Sequence, residues 1–335
     1  MFPALLLSQK LPQQLLAIAM SVCIFLVNCP ASSQAQMPLT QPESGSVAQP
    51  IPIPQDQQQI ASVILHRALI DSVWGKPMLC DVRQTITFGS RKMSGFGKYL
   101  RGGQGSGRLK MELVLPAGDR MNNLLQISNG ELMHTIQTLG DNVQRTRVDL
   151  GKVRERMGTI TTESLDDPVI AMYLAIGGQS ELLRKLAQQY RWDKVTKGNV
   201  DGIPVWWLTG TLSAEPPPVH ALAPIDVRLF QPHHSGLSPT QVIAAISRKE
   251  AKYPFWLLQV EQSRPPGETT PIGNGGGIQI TTEWANAAEP KAITLDVFER
   301  TLSNDPFTEE TAAYLPPGPI VSRPPSMAST STLQR

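Results

Sequence analysis

From residue 78 onward, apolar and polar side chains alternate with a period of two over much of the chain. In residues 108–115, Leu109, Met111, Leu113 and Leu115 form an apolar row, while Arg108, Lys110 and Glu112 form a charged one. Successive side chains of a strand point to opposite faces, so this strand has one dry face and one wet face. Val82, Gln84, Ile86 and Phe88 form a similar row against Arg83, Thr85 and Thr87. Asn129-Gly130 suits a type I′ turn, whose two central residues both need positive φ. Leu125 and Ile127 lead into that turn, and Leu132 and Ile136 lead out of it. Gly140-Asp141-Asn142 turns the chain again into residues 143–150, giving three consecutive antiparallel strands.

Elsewhere the period is helical. Asp56 caps a predicted helix over residues 57–74, with Ile60, Val63, Ile64, Ile70, Val73 and Trp74 at helical spacing and Lys76-Pro77 ending it. Asp166-Asp167-Pro168 opens a second helix to residue 176. Ser180 caps a third, with Leu182, Leu183, Leu186 and Tyr190 as its apolar stripe. Strands are expected at residues 192–196, 205–212 and 225–229. Ser238-Pro239 then opens a short helix to about residue 252, with Val242, Ile243 and Ile246 on one side. The last strands are expected at residues 255–262, 277–284 and 292–299. No βαβ alternation is visible, which disfavours a doubly wound fold. The order predicts a mainly β protein. A strongly curved antiparallel sheet forms an unclosed half-barrel, and the N-terminal and inserted helices cover its concave face.

The chain has 335 residues, enough for one large domain or two ordinary ones. The reading places one domain over residues 56–313. A signal peptide precedes it at residues 1–35 and a Pro/Gln-rich disordered linker at residues 36–55; a Pro/Ser-rich tail follows at 314–335. Lys10 is the only charged side chain of the leader, and residues 15–27 are an apolar run too short for the roughly 20 residues of a membrane span. Ser33-Gln34-Ala35 offers small residues for cleavage between Ala35 and Gln36, which sends the mature chain to the periplasm. The rival is Leu26-Val27-Asn28-Cys29, a lipobox that would leave the chain lipid-anchored through Cys29. Cleavage after Ala35 leaves Cys80 as the sole cysteine, so stability must come from a core rather than an internal disulfide.

Candidate chemistry is sparse. A formal net charge of +2, with both signs spread along the chain, argues against a nucleic-acid partner. His233 and His234 diverge on an extended chain, and His66, His134 and His220 have no acidic or cysteine companion at metal spacing, so neither a metal nor a cofactor is expected. Gly102–Gly107 lacks the Lys-Ser/Thr of a phosphate loop and runs into a strand, and is read as a flexible hairpin turn. Asp166-Asp167 and Glu309-Glu310 fall at a helix start and in a solvated turn, and no catalytic residue is assigned. Arg91, Lys92, Lys98, Arg101, Arg108 and Lys110 make a local basic excess. Trp206-Trp207 must point to opposite faces of a strand, one ring into the concavity and the other under a helix.

Several segments resemble the LolA/LolB-like periplasmic lipoprotein-carrier family, and most closely its large LolA-like outer-membrane lipoprotein-sorting members. They are Arg83-Gln84-Thr85-Ile86-Thr87, Gly95-Phe96-Gly97-Lys98-Tyr99, Leu124 through Leu132, Arg145 through Leu150, and Gly202 through Trp207. The resemblance spans about residues 55 to 314. His134 stands where the family has an aromatic, and Arg101 and Arg108 are the candidates for its lid-contact arginine. The resemblance implies a non-enzymatic, monomeric carrier of an acylated lipoprotein or lipid, working between an inner-membrane donor and an outer-membrane acceptor. An acyl chain exposes a dozen or more methylenes at about 0.8 kcal/mol each, so release into water is opposed by about 10 kcal/mol. The expected groove is Val82, Ile86, Phe88, Leu109, Met111, Leu113, Leu125, Ile127 and Trp206, and the expected lid is Leu182, Leu183 and Leu186. The alternative is a structural or interaction module in which the same residues simply fill a core.

Overall fold

The structure is a computed structural model that describes residues 55–118, 120–160, 165–213, 239–265, 277–299 and 306–316. The expected leader with Ala35 and Gln36, Cys29, the linker up to residue 54, the strand at 225–229, His220, His233, His234 and the chain beyond 316 lie outside the described residues.

A helix, α1 (Gln55–Trp74), leads into six strands: β1 (Met78–Phe88), β2 (Arg91–Arg101), β3 (Arg108–Ala117), β4 (Arg120–Asn129), β5 (Leu132–Leu139) and β6 (Asn142–Asp149). Three helices follow, α2 (Leu150–Met157), α3 (Pro168–Leu174) and α4 (Gly178–Gln189). The chain then returns to strand as β7 (Tyr190–Val200), β8 (Ile203–Leu212), β9 (Gln241–Ser247), β10 (Leu257–Arg264), β11 (Ile278–Ala288) and the two-residue β12 (Thr308–Glu309). All belong to one sheet ordered β12-β6-β5-β4-β3-β2-β1-β11-β10-β9-β8-β7, which does not close on itself. Every pairing is antiparallel except β12 with β6. The chain leaves β6 near one edge and re-enters at β7, the other edge, so α2 to α4 bridge the two sides of the curved sheet. That connection is what sets helices over the concave face.

The curvature has a local cause in β2. Gly95 and Gly97 stand on the concave side, where Gly97 pairs with Val82 on one neighbour and Leu113 on the other. A Cβ built on Gly97 would lie 1.7 Å from the Glu112 carbonyl oxygen, and one on Gly95 would lie 2.7 Å from that of Val114. Strand β3 therefore occupies the space where β2 side chains would project, and the sheet bends sharply there. Phe96 between them points to the convex side and is 63% exposed.

The core lies between the concave face and the helices. Helix α1 buries Ala61, Ile64, Leu65, Ala68 and Leu69 against β7, α3 and α4. The stripe read from sequence is thus rotated: Ile60 is 43% and Val63 62% exposed, because the small Ala61 and Ala68 form the face of closest approach. Two other expectations are corrected, and one helix falls where no element is expected. The short helix at residues 238–252 is instead β9, whose Val242, Ala244, Ala245 and Ile246 are buried on both faces; such a run carries no alternation to distinguish it from a helix. The strand at 292–299 is a 3-10 turn at Leu295–Phe298. Helix α2, capped by the Asp149 side chain accepting from the Lys152 N–H, occupies a stretch to which the sequence reading assigns no element. The chain also stays ordered past 313, since the Tyr314 ring is buried.

The glycine-rich loop at 102–107 is pinned rather than free. Its Gln104 and Gly105 N–H groups donate to the Gly75 and Val73 carbonyls at 2.8 and 3.0 Å. These are carbonyls at and just past the end of α1, which the helix itself leaves unsatisfied.

Candidate functional site

A cleft opens on the concave face between the sheet and α4. Its apolar wall is Val82 from β1, Met111 and Leu113 from β3, Leu124 from β4, Leu182 from α4, and Ile280 and Trp284 from β11. Polar residues complete it: Gln84, Gln126, Gln262, Thr282 and Glu181, with Gly178 at the start of α4. These residues are distant in sequence and are joined by the β1–β11 pairing, in which Val82 lies opposite Trp284 and Gln84 opposite Thr282.

The cavity volume is about 80 Å³. An engineered apolar cavity that admits benzene is about 150 Å³. The cleft has room for only a few methylenes. Gly177, which precedes α4, and Gly178, its first residue, have φ of 77° and 58°. The positive φ strains any side chain at either position, and at Gly178 a Cβ would also lie 2.5 Å from Cε2 of the Tyr99 ring.

Helix α4 is held down by polar contacts. The Gly178 N–H donates to Gln126 Oε1 at 2.8 Å, and Gln179 Nε2 donates to the Leu257 carbonyl at 2.9 Å. Glu181 is buried, and its carboxylate accepts from the Gly177 N–H at 2.9 Å, Lys185 Nζ at 3.1 Å and the Tyr314 hydroxyl at 3.2 Å, with Arg184 at 3.5 Å. Burial holds the Lys185 amine below its ordinary range, partly offset by Glu181, and burial pushes the Tyr314 phenol well above its own. The C-terminal segment thereby reaches from β12, beside β6, to the underside of α4.

Of the expected groove residues, Val82, Met111 and Leu113 line the cleft. Leu109 is buried in the same core, against Gly177, and Ile86 is buried opposite Ile280. Phe88 is half-buried at the end of β1. Leu125 and Ile127 are on the other face. Leu113 pairs with Leu124 and Met111 with Gln126, so Leu125 and Ile127 share the convex side with Lys110 and Glu112. They look apolar because that side is covered too: the 3-10 turn at Leu295–Phe298 packs on β3 and β4, and Phe307 meets the His134 ring edge-on at 4.9 Å. Trp206 lies three strands from β11 with Lys197 and Arg248 over its ring, at 5.5 and 5.4 Å, and is not part of the cleft wall. Trp207 packs against Gly198. Of the lid residues, Leu182 faces the cleft while Leu183 and Leu186 are buried in the core.

The two candidate arginines do not touch α4. Arg101 is buried under the end of α1, and Arg108 Nε donates to the Asn129 carbonyl at 3.3 Å. The arginine that ties an inserted helix to the sheet is Arg154 of α2, which donates to the Gly130 carbonyl and, at 3.4 Å, to that of Gly105. Sequence reading missed it, along with Gln126, Glu181, Trp284 and Tyr314. Among the described residues no cluster of His, Cys, Asp or Glu could hold a metal ion, and no helix is long and apolar enough to cross a membrane.

No protein-family model matches the sequence, and no curated protein matches it. Among solved structures, the chain is similar to a DUF1329-family protein from Desulfovibrio piger, with 11% identity over 73% of this chain and 98% of that one and a TM-score of 0.31. It is also similar to an outer membrane lipoprotein-sorting protein domain from Vibrio parahaemolyticus (10% identity, 73% and 96% covered, TM-score 0.29). A LolA-superfamily protein from Nitrosomonas europaea is a third (10% identity, 73% and 98% covered, TM-score 0.26). These likenesses are distant, and a functional reading has to rest on the cleft itself.

Proposed function

We propose that this chain is an exported, non-enzymatic carrier that takes acyl chains of lipids or lipoproteins into the concave cleft beneath α4. The observation that carries this reading is the cleft: seven apolar side chains from four strands of an unclosed sheet and one helix line a space of about 80 Å³. Transport of hydrocarbon requires a dry surface that can be uncovered and covered again, and α4, set off by paired glycines, supplies the cover. The expected leader at residues 1–35 fits delivery to the periplasm. An inner-membrane donor and an outer-membrane acceptor are the partners this reading requires.

Leu113→Asp places a carboxylate on the apolar wall, where an unpaired charge is strongly disfavoured against hydrocarbon. Titration with a fluorescent acyl-ester probe is expected to show at least about tenfold weaker binding for this variant, or none. Phe96→Asp, on the exposed convex side, is expected to bind as the unaltered protein does. Equal binding by a cooperatively folded Leu113→Asp protein would place the ligand elsewhere, and absence of binding by the unaltered protein would end the carrier reading.

A further inference from the structure

The segment from Phe307 to Tyr314 crosses the β6 edge of the sheet and is anchored on both of its faces. On the convex side the Phe307 ring meets His134 edge-on at 4.9 Å, and Arg147 Nε donates to Glu309 Oε2 at 3.0 Å. His134 and Arg147 are cross-strand partners, and His134 also lies opposite Ile127, so both belong to the convex face. Thr308 and Glu309 then pair with Thr146 and Arg147. The Glu310 N–H donates to the Arg147 carbonyl at 2.8 Å, and Thr311 Oγ1 accepts the Asp149 N–H at 2.7 Å. A 3-10 turn at Thr311–Tyr314 carries the chain round the edge to the helical side. There the Tyr314 ring is 8% exposed, its hydroxyl donates to Glu181 Oε1 at 3.2 Å, and the Arg184 guanidinium lies 5.2 Å from its centre. Glu181 and Arg184 both belong to α4.

Between these anchors little holds the segment. Its strand pairing is two residues long, and Thr308, Glu309, Ala312 and Ala313 are exposed. The Arg147–Glu309 pair is half in solvent and contributes little by itself. A short segment with few buried contacts opens at lower free energy than the sheet beneath it. Held at the convex anchor, Tyr314 stays beside its pocket under α4; once detached there, it must be found again from a loose chain, at an entropic cost. We propose that Phe307–Tyr314 is a strap that couples the convex edge of the sheet to α4, so that freeing Phe307 from His134 loosens the helix on the opposite face. The strap follows from these contacts alone; only its consequence for cargo rests on the carrier reading.

Hydrogen exchange of the full chain, read by mass spectrometry, tests the coupling. Phe307 lies across the sheet from α4, yet Phe307→Ala is expected to speed exchange of the α4 amides about fivefold, with β1 and β11 unchanged. Tyr314→Ala is expected to speed the same amides at least about tenfold. Because one strap carries both contacts, adding Phe307→Ala to Tyr314→Ala is expected to change α4 exchange by less than about twofold. Phe307→Ala decides the matter alone if the larger Tyr314 truncation does not fold. An α4 rate unchanged by Phe307→Ala, effects that multiply in the double variant, or acceleration shared equally by β1 and β11 overturns the strap. Faster α4 exchange with faster uptake of an acyl-ester probe supports both the strap and the carrier reading. Faster exchange with no probe binding by any variant supports the strap and ends the carrier reading.

Discussion

Gly97→Ala is expected to destabilise the fold by more than about 3 kcal/mol, and Gly97→Val to prevent folding. The reason lies in the bend of the sheet. The added Cβ would fall 1.7 Å from the Glu112 carbonyl oxygen and 2.9 Å from the Leu113 Cα. Both are backbone atoms of a paired strand, which cannot step aside as the end of a flexible side chain can. Relief requires β3 to swing away from β2, which flattens the sheet and spreads the cleft wall between Val82 and Leu113. Gly89→Ala is the matched control: Gly89 has φ +56° but nothing near its missing Cβ, so only the left-handed backbone strain, about 1 kcal/mol, is expected. Urea unfolding midpoints of the two variants measure the difference. A Gly97→Ala protein within about 1 kcal/mol of the unaltered chain would show that the bend does not depend on that glycine.

Arg101→Ala is the second large effect. Arg101 Nε donates to the Lys76 carbonyl at 3.0 Å, and its terminal nitrogens donate to the Asp71 carbonyl at 2.8 Å and the Asp71 carboxylate at 3.0 Å. Its guanidinium also lies 5.0 Å from the centre of the Trp256 ring. One side chain thus joins the end of α1, β2 and the segment before β10. Truncation leaves the Asp71 and Lys76 carbonyls without this donor and removes the partner of the Asp71 carboxylate. Losing one partner of a buried pair costs 3–5 kcal/mol as a rule; Asp71 remains 33% exposed and rehydrates in part, so about 3 kcal/mol is expected. Arg101→Lys is expected to recover little, because an ammonium cannot reproduce the planar fork that reaches three acceptors. Chemical denaturation measures both variants, and an Arg101→Lys protein as stable as the unaltered one would contradict this account of the fork.

Much of the sheet can be read from the sequence where one face is wet. The alternation in β3 identifies Met111 and Leu113 as inward-facing, and that in β1 does the same for Val82. The reading fails where long-range contacts cover the second face. In β4 the convex Leu125 and Ile127 are apolar because residues 295–298 and Phe307 come back over that side, while the concave Gln126 and Ser128 are polar and buried. A period of two gives the alternation but not which row faces inward. Strand β9 carries apolar residues on both faces and so imitates a helix. The cleft is the least legible feature. Trp284, Thr282 and Ile280 join it through a pairing of the first strand with the eleventh, which no local pattern encodes. The value of Gln126 and Glu181 is likewise visible only once α4 is laid across them.

The central claim is that the concavity holds hydrocarbon in the living cell. Native mass spectrometry of the full chain purified from its own host tests this most directly. The account predicts a population whose mass exceeds that of the polypeptide by an esterified lipid or lipopeptide, lost on organic extraction and absent from Leu113→Asp. Protein that carries no added mass, and that also takes up no acyl ester when one is supplied, would contradict it.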